Sequence, residues 1–302
     1  MKKKISREII KENIDLIGLK GCLFRGLSYI ASGFSEDELL YKETRKLIKP
    51  MNEQHLSIPY KGKLEGQKNN IIWVCWFQGI ENAPEIVKLC YKNLIKKNPS
   101  TKIILLSDKN IHNYIDFPEN IWDKYKRGII KRSHFSDILR TALLYYRGGI
   151  WIDSTMLITE AIPNFIWDED LFVFKYHNQN TNQVSSSQFI RAKSGNKILE
   201  KTLIGLYTYW SRYNKLYTYY LWHYVFARAV NLNIDLRKQF DCIPIRYAED
   251  NHILQSRFFD HYNELDWEWI KSITFVHKLS YKHLKSDEDE NTFYKHILKD
   301  YK

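Results

Sequence analysis

The stretch Ser136-Asp137-Ile138-Leu139-Arg140-Thr141-Ala142-Leu143-Leu144-Tyr145-Tyr146-Arg147-Gly148-Gly149-Ile150-Trp151-Ile152-Asp153-Ser154-Thr155 decides the fold of this chain. Ile138, Leu139, Ala142, Leu143 and Tyr146 recur with the 3.6-residue period of a helix and mark its buried stripe. Arg147 puts a cation in the last turn, and Gly148-Gly149 supplies the left-handed stop that commonly ends helices. Ile150-Trp151-Ile152 then reads as a short apolar strand that delivers Asp153 at its carboxyl end. That edge of an α/β sheet is where ligands bind, and a carboxylate there can hold a divalent cation against a diphosphate. Asp137 and Arg140 lie three apart, as neighbours on another side of the helix. Taken alone, they read as a solvent-facing ion pair worth about 0.2–0.5 kcal/mol.

Upstream, Ile71-Ile72-Trp73-Val74-Cys75-Trp76 is a continuous apolar run of the kind that forms a buried parallel strand. Pro84 opens a helix carrying Ile86, Val87, Leu89, Cys90, Leu94 and Ile95, and Pro99 follows its end. Lys102 to Asp108 is the next strand. Strand, helix and strand in this order imply a right-handed crossover and a parallel sheet. Downstream, Ser185 to Lys193 reads as a loop entering a strand, and a helix follows from Asn196. Tyr207 to Val230 is crowded with aromatic residues and reads chiefly as core helix. Ser272 to Lys282 is an apolar, β-rich run that ends in His277 with cations after it.

Asp-x-x-Arg followed by Gly-Gly-Ile-Trp-Ile-Asp resembles the nucleotide-sugar site of GT-A glycosyltransferases. The nearest groups are capsular polysaccharide synthesis proteins, the yeast mannosyltransferase type and the glucosylating clostridial toxins. The resemblance changes the reading of the charged helix residues: it implies that Asp137 and Arg140 contact the donor sugar and that Asp153 holds the metal and diphosphate. Gly149 falls inside the same motif and joins the nucleotide-sugar contacts. It further implies that Trp73 stacks on the base beside the amide of Gln78, that His277 completes the shell of a Mn²⁺ or Mg²⁺ ion, and that Lys278 or Lys282 grips the phosphates. For Trp73 the competing reading is a core tryptophan. Strand alternation puts Trp76 on the opposite face from Trp73, so the two cannot serve equally. For His277 the competing reading is a structural histidine. The sequence departs from the pattern at Thr155, which stands where the second carboxylate of the metal motif would be; a hydroxyl is a weak ligand for such cations.

Composition sets the outer bounds. The chain has 302 residues, 44% hydrophobic and 15% aromatic, enough to bury a sizeable core. No apolar run approaches the roughly 18 residues of a membrane span, and the basic start at Met1 to Lys4 lacks the apolar core of a secretory signal. Cys22, Cys75, Cys90 and Cys242 occur singly, which reads as reduced, buried and cytoplasmic. The net charge of +11 has no basic block beyond Lys2–Lys4 and no nucleic-acid-binding module behind it; it suits contact with an anionic inner-leaflet surface or a lipid diphosphate.

The expected architecture is therefore α/β: a GT-A-like, Rossmann-like, mixed and mainly parallel sheet flanked by helices over residues 67–302. Residues 1–66 form an N-terminal helical extension, packed on the main domain or lying on the membrane. The activity that the resemblance implies is transfer of a hexose, galactose or glucose, from a UDP-sugar to a lipid-linked oligosaccharide in surface or capsular polysaccharide assembly, retaining and metal-assisted. The competing functions are a nucleotide-sugar-binding protein without turnover and a basic nucleic-acid-binding protein.

Overall fold

The computed structural model describes residues 70–178, 183–282 and 291–300. The N-terminal extension expected over 1–66 lies outside the described residues, as does Cys22.

Five strands form the central sheet. They are β1 (Ile71–Cys75), β2 (Lys102–Leu106), β3 (Gly149–Ile152), β5 (Leu171–Lys175) and β6 (Ser185–Ala192), in the spatial order β2-β1-β3-β6-β5. Pairing of β1 with β2 and with β3 is parallel, whereas β6 runs antiparallel to both β3 and β5. Four strands thus share one direction and only β6 is reversed. The sheet is mixed and mainly parallel in strand direction, although its four pairings divide evenly. A second, two-stranded sheet pairs β4 (Met156–Ile158) antiparallel with β7 (Val276–Lys278).

The expected crossover is present. Helix α1 (Glu85–Lys97) lies between β1 and β2 in the chain and begins after Pro84, whose missing N–H costs nothing at a helix start. After α2 (Glu119–Lys126) comes α3 (Arg132–Arg147), one turn longer at its start than the apolar period indicated, and the short α4 (Asn164–Asp168) follows before β5. Its stripe of Ile138, Leu139, Ala142 and Leu143 is fully buried. Gly148 ends it with φ +67, its N–H bonding to Leu144 O at 3.0 Å.

Three differences from the sequence reading have local causes. Ser185–Ala192 is strand throughout, because Ser185 pairs with Lys175 of β5 instead of looping free. The aromatic stretch splits into α5 (Lys197–Arg212), capped by the Asn196 side chain, and α6 (Leu221–Val230), while Tyr217, Tyr219 and Tyr220 fall in the connection. Ser272 and Ile273 belong to the end of a helix, Glu264–Ile273, so the expected strand is reduced to β7. Cys75 and Cys90 are buried and free, but Cys242 is exposed.

The core divides in two. The larger part packs α3, α5 and α6 onto the sheet around Trp73, Trp151, Trp210 and Trp222, each almost fully buried. The smaller one gathers Leu89, Cys90, Leu157, Trp267, Leu279 and Phe293 beneath β4 and β7. No helix among the described residues is long and apolar enough to cross a membrane.

Candidate functional site

A cleft of about 600 Å³ opens where β1 and β3 end. Its floor is a chain of alternating charges. Asp153 leaves β3 with its N–H bonded to Gln188 O on β6 at 2.8 Å, which fixes the carboxylate at the sheet edge. Oδ1 of Asp153 accepts from Arg140 Nη2 at 3.1 Å and from Trp151 Nε1 at 2.9 Å. Arg140 in turn places Nη1 3.1 Å from Asp137 Oδ1 and 3.0 Å from Ser187 O, and Nη2 3.1 Å from Ser136 Oγ. The guanidinium lies over the Trp151 ring, 5.3 Å from its centroid. On the other side Lys278 Nζ stands 3.5 Å from Asp153 Oδ2 and donates to Thr155 Oγ1 at 2.8 Å. Burial pushes the Asp153 carboxyl up, but Arg140, Lys278 and the Trp151 N–H outweigh it and hold the group below the ordinary aspartate range.

Asp137, Arg140 and Asp153 are thus brought together, and the solvent-facing reading of the helix pair fails: Arg140 is only 5% exposed. Gln78 and Lys282 line the same cleft, both exposed. Three other expected residues stand elsewhere. Trp73 is 1% exposed, with Nε1 donating to Gly148 O at 2.9 Å, and belongs to the core. Trp76 lines the cleft instead, edge-to-face with Tyr281 at 5.5 Å between centroids. Gly149 does not face the cleft; at φ +101 a Cβ would come within 2.5 Å of Ile71 O. Its role is close approach of β3 to β1, which only glycine permits.

His277 is the third. It pairs with Leu157 across the small sheet, while Lys278 pairs with Met156. Successive side chains on a strand point to opposite faces, so Lys278 reaches Asp153 and His277 turns into the smaller core. There its Nε2 lies 3.4 Å from Thr159 Oγ1 and its ring packs near Trp267. Burial, helped by the charge of Lys271, pushes this imidazole down to about 3.

Two histidines beside the cleft floor were not singled out in the sequence. His134 Nδ1 is 3.6 Å from Asp137 Oδ2, and its i,i+3 spacing to Asp137 was the available signal. His223 lines the cleft, half-buried, near Asp137, Arg140 and Asp153; loss of solvent around the ring pushes it down to about 4. His252 also lines the cleft.

Among the described residues, those around Asp153 do not fit a divalent cation. One carboxylate, already bonded by an arginine, an indole and a lysine, is joined by a hydroxyl that accepts from that lysine. An incoming cation would meet the Lys278 ammonium, and two unit charges 4 Å apart repel by about 4 kcal/mol near a protein surface, with twice that for a divalent ion. Among the described residues no group of three or more His, Cys, Asp or Glu could hold a metal.

The chain is 26% identical over 149 residues to the O-glycosyltransferase braB of Annulohypoxylon truncatum, covering 44% of this chain and 35% of that protein. It is 30% identical over 122 residues to the uncharacterized glycosyltransferase L373 of Acanthamoeba polyphaga mimivirus, covering 38% of this chain and 47% of that one. The chain therefore spans less than half the length of these relatives. Among solved structures, the PaToxG glycosyltransferase matches with a TM-score of 0.41 at 19% identity, over 68% of this chain and 83% of that one. A family model described as capsular polysaccharide synthesis protein matches residues 32–297. Since that match takes in well over half of the residues, the chain belongs to the capsular polysaccharide synthesis protein family.

Proposed function

We propose that this protein is a glycosyltransferase that moves a hexose, galactose or glucose, from a UDP-sugar to a lipid-linked oligosaccharide during surface or capsular polysaccharide assembly, with retention at the anomeric carbon. The observation that carries the reading is the run Asp137–Arg140–Asp153–Lys278 on the floor of a cleft at the carboxyl ends of parallel strands. Family membership and the O-glycosyltransferase among the relatives support transfer to a hydroxyl acceptor.

The chemistry asks mainly for positioning and for charge stabilisation at the leaving diphosphate. Asp137, held by Arg140, offers carboxylate oxygens to sugar hydroxyls. Trp76 and Gln78 line the β1 end of the cleft, where an indole face and an amide suit a nucleobase. As the C1–O bond to the β-phosphate breaks, its electron pair stays on the departing diphosphate. C1 bonds to the acceptor's hydroxyl oxygen, whose proton ends on the departing phosphate. The surplus of basic residues, +11 overall, suits an acceptor carried on an anionic membrane surface.

A thermal-shift screen of UDP-, GDP- and CDP-sugars tests the donor class. UDP-sugars at saturating concentration should raise the melting temperature by about 5 °C, and Asp153→Asn should abolish that rise relative to its own ligand-free melt. Equal shifts with all three nucleotides, or none, would sink the reading.

A further inference from the structure

We infer that the ammonium of Lys278 takes the place of a divalent cation in this cleft and neutralises the donor's diphosphate directly. The inference rests on the nucleotide-sugar reading above.

Lys278 is held where an ion would sit. Its Nζ lies between Thr155 Oγ1 at 2.8 Å and Asp153 Oδ2 at 3.5 Å, two oxygen-bearing side chains just past the end of β3. The position is not left to a wandering side chain. Met156 and Lys278 are paired in the small sheet, and Leu279 N–H bonds to Thr155 O at 2.8 Å, so the backbones that carry donor and acceptor are fixed to each other. Lys278 lines the cleft with its side chain 19% exposed. An ammonium has three N–H donors; with two directed at Thr155 and Asp153, the third is available to a phosphate oxygen.

The charge count agrees. Two carboxylates with a divalent cation have no net charge, and neither has one carboxylate with one ammonium and a threonine. The diphosphate would therefore meet a site of the same net charge by either route. Arg140 is not free to do this, because its guanidinium already serves Asp137, Asp153 and Ser187 O. Lys282 stands exposed at the rim, with its Nζ over the Tyr281 ring. When the bond to the sugar breaks, Lys278 offsets the charge arriving on the diphosphate and keeps its own proton throughout.

The test uses the purified full chain. UDP binding is followed by calorimetry, and UDP release from UDP-glucose and UDP-galactose is followed as turnover, each in EDTA and with added Mn²⁺ or Mg²⁺. The wild type should bind UDP and turn over in EDTA, with no gain from either metal. Lys278→Ala should lose turnover by on the order of 100-fold, the effect of deleting one charge-stabilising donor, without rescue by metal. Lys278→Arg should retain part of it. Thr155→Asp combined with Lys278→Ala should acquire a response to Mn²⁺. A wild type that is inactive in EDTA and restored by Mn²⁺, or a Lys278→Ala variant as active as wild type, overturns the inference while leaving the donor reading intact. A wild type that binds no UDP under either condition brings down the donor reading and the inference with it. Should Lys278→Ala fail to fold, Lys278→Met and the EDTA comparison on the wild type decide the matter.

Discussion

Arg140 on α3 reaches Asp153 beyond the end of β3, with Nη2 3.1 Å from Oδ1, and so ties the helix to the sheet edge across the Gly-Gly turn. The same guanidinium holds Asp137 and a β6 carbonyl. A lysine ammonium cannot span these partners, since it lacks the planar fork. Arg140→Lys should therefore cost about 2–3 kcal/mol in urea unfolding and weaken UDP-sugar binding as well. An unchanged unfolding midpoint would show that the guanidinium is not the tie.

Stability should fall on mild acidification, and the sign follows from two imidazoles, one buried and one half-buried in the cleft wall. His277 and His223 sit at about 3 and about 4 in the folded chain, below the ordinary 6.5. Below pH 6.5 the unfolded chain therefore binds protons that the folded chain refuses, and folding weakens as pH drops. Each histidine contributes about 1.4 kcal/mol per pH unit over that window. Asp153 adds its own loss only at lower pH: its depressed carboxyl stabilises the fold above the ordinary aspartate value, and that contribution disappears as pH falls through the folded one. Urea melts at pH 7, 6 and 5 should show the slope, and His277→Gln should remove about half of it.

The two neighbouring tryptophans should separate cleanly. Trp73→Phe deletes the bond to Gly148 O and should lower stability by about 1–2 kcal/mol with UDP affinity unchanged. Trp76→Ala should do the reverse, weakening UDP binding measured by calorimetry with little change in melting temperature. Reversed outcomes would return the base-stacking role to Trp73.

Gly149→Ala should be among the most damaging small changes in the chain. The added methyl meets Ile71 O at 2.5 Å and Trp73 Nε1 at 3.0 Å, on a backbone at φ +101. Strain and displaced backbone together should cost about 3 kcal/mol or more, seen as lost soluble yield or an early urea midpoint. Gly79→Ala, also at positive φ but with nothing within 4 Å, should be milder.

Much of the frame was legible locally. Apolar period, proline and glycine placement located α1, α3 and the strands around them, because burial of one helix face or of a whole strand is written in spacing. Asp137, Arg140 and Asp153 were legible as a group through the resemblance that Asp-x-x-Arg and Gly-Gly-Ile-Trp-Ile-Asp carry; spacing alone left the helix pair facing solvent. The aromatic stretch and the run before His277 were not, since clustered rings and β-branched residues suit helix, loop and strand alike.

Sequence by itself determined which carboxylate ends β3 and which two charges lie one turn apart on the helix before it. What only the tertiary structure decided is which C-terminal side chain joins them. His277 and Lys278 are adjacent in the chain, and a strand sends neighbours to opposite faces, so a shift of one residue in the register of β7 on β4 would exchange them. That register is set by long-range pairing with Met156–Ile158 and by the core beneath it, which no local pattern records.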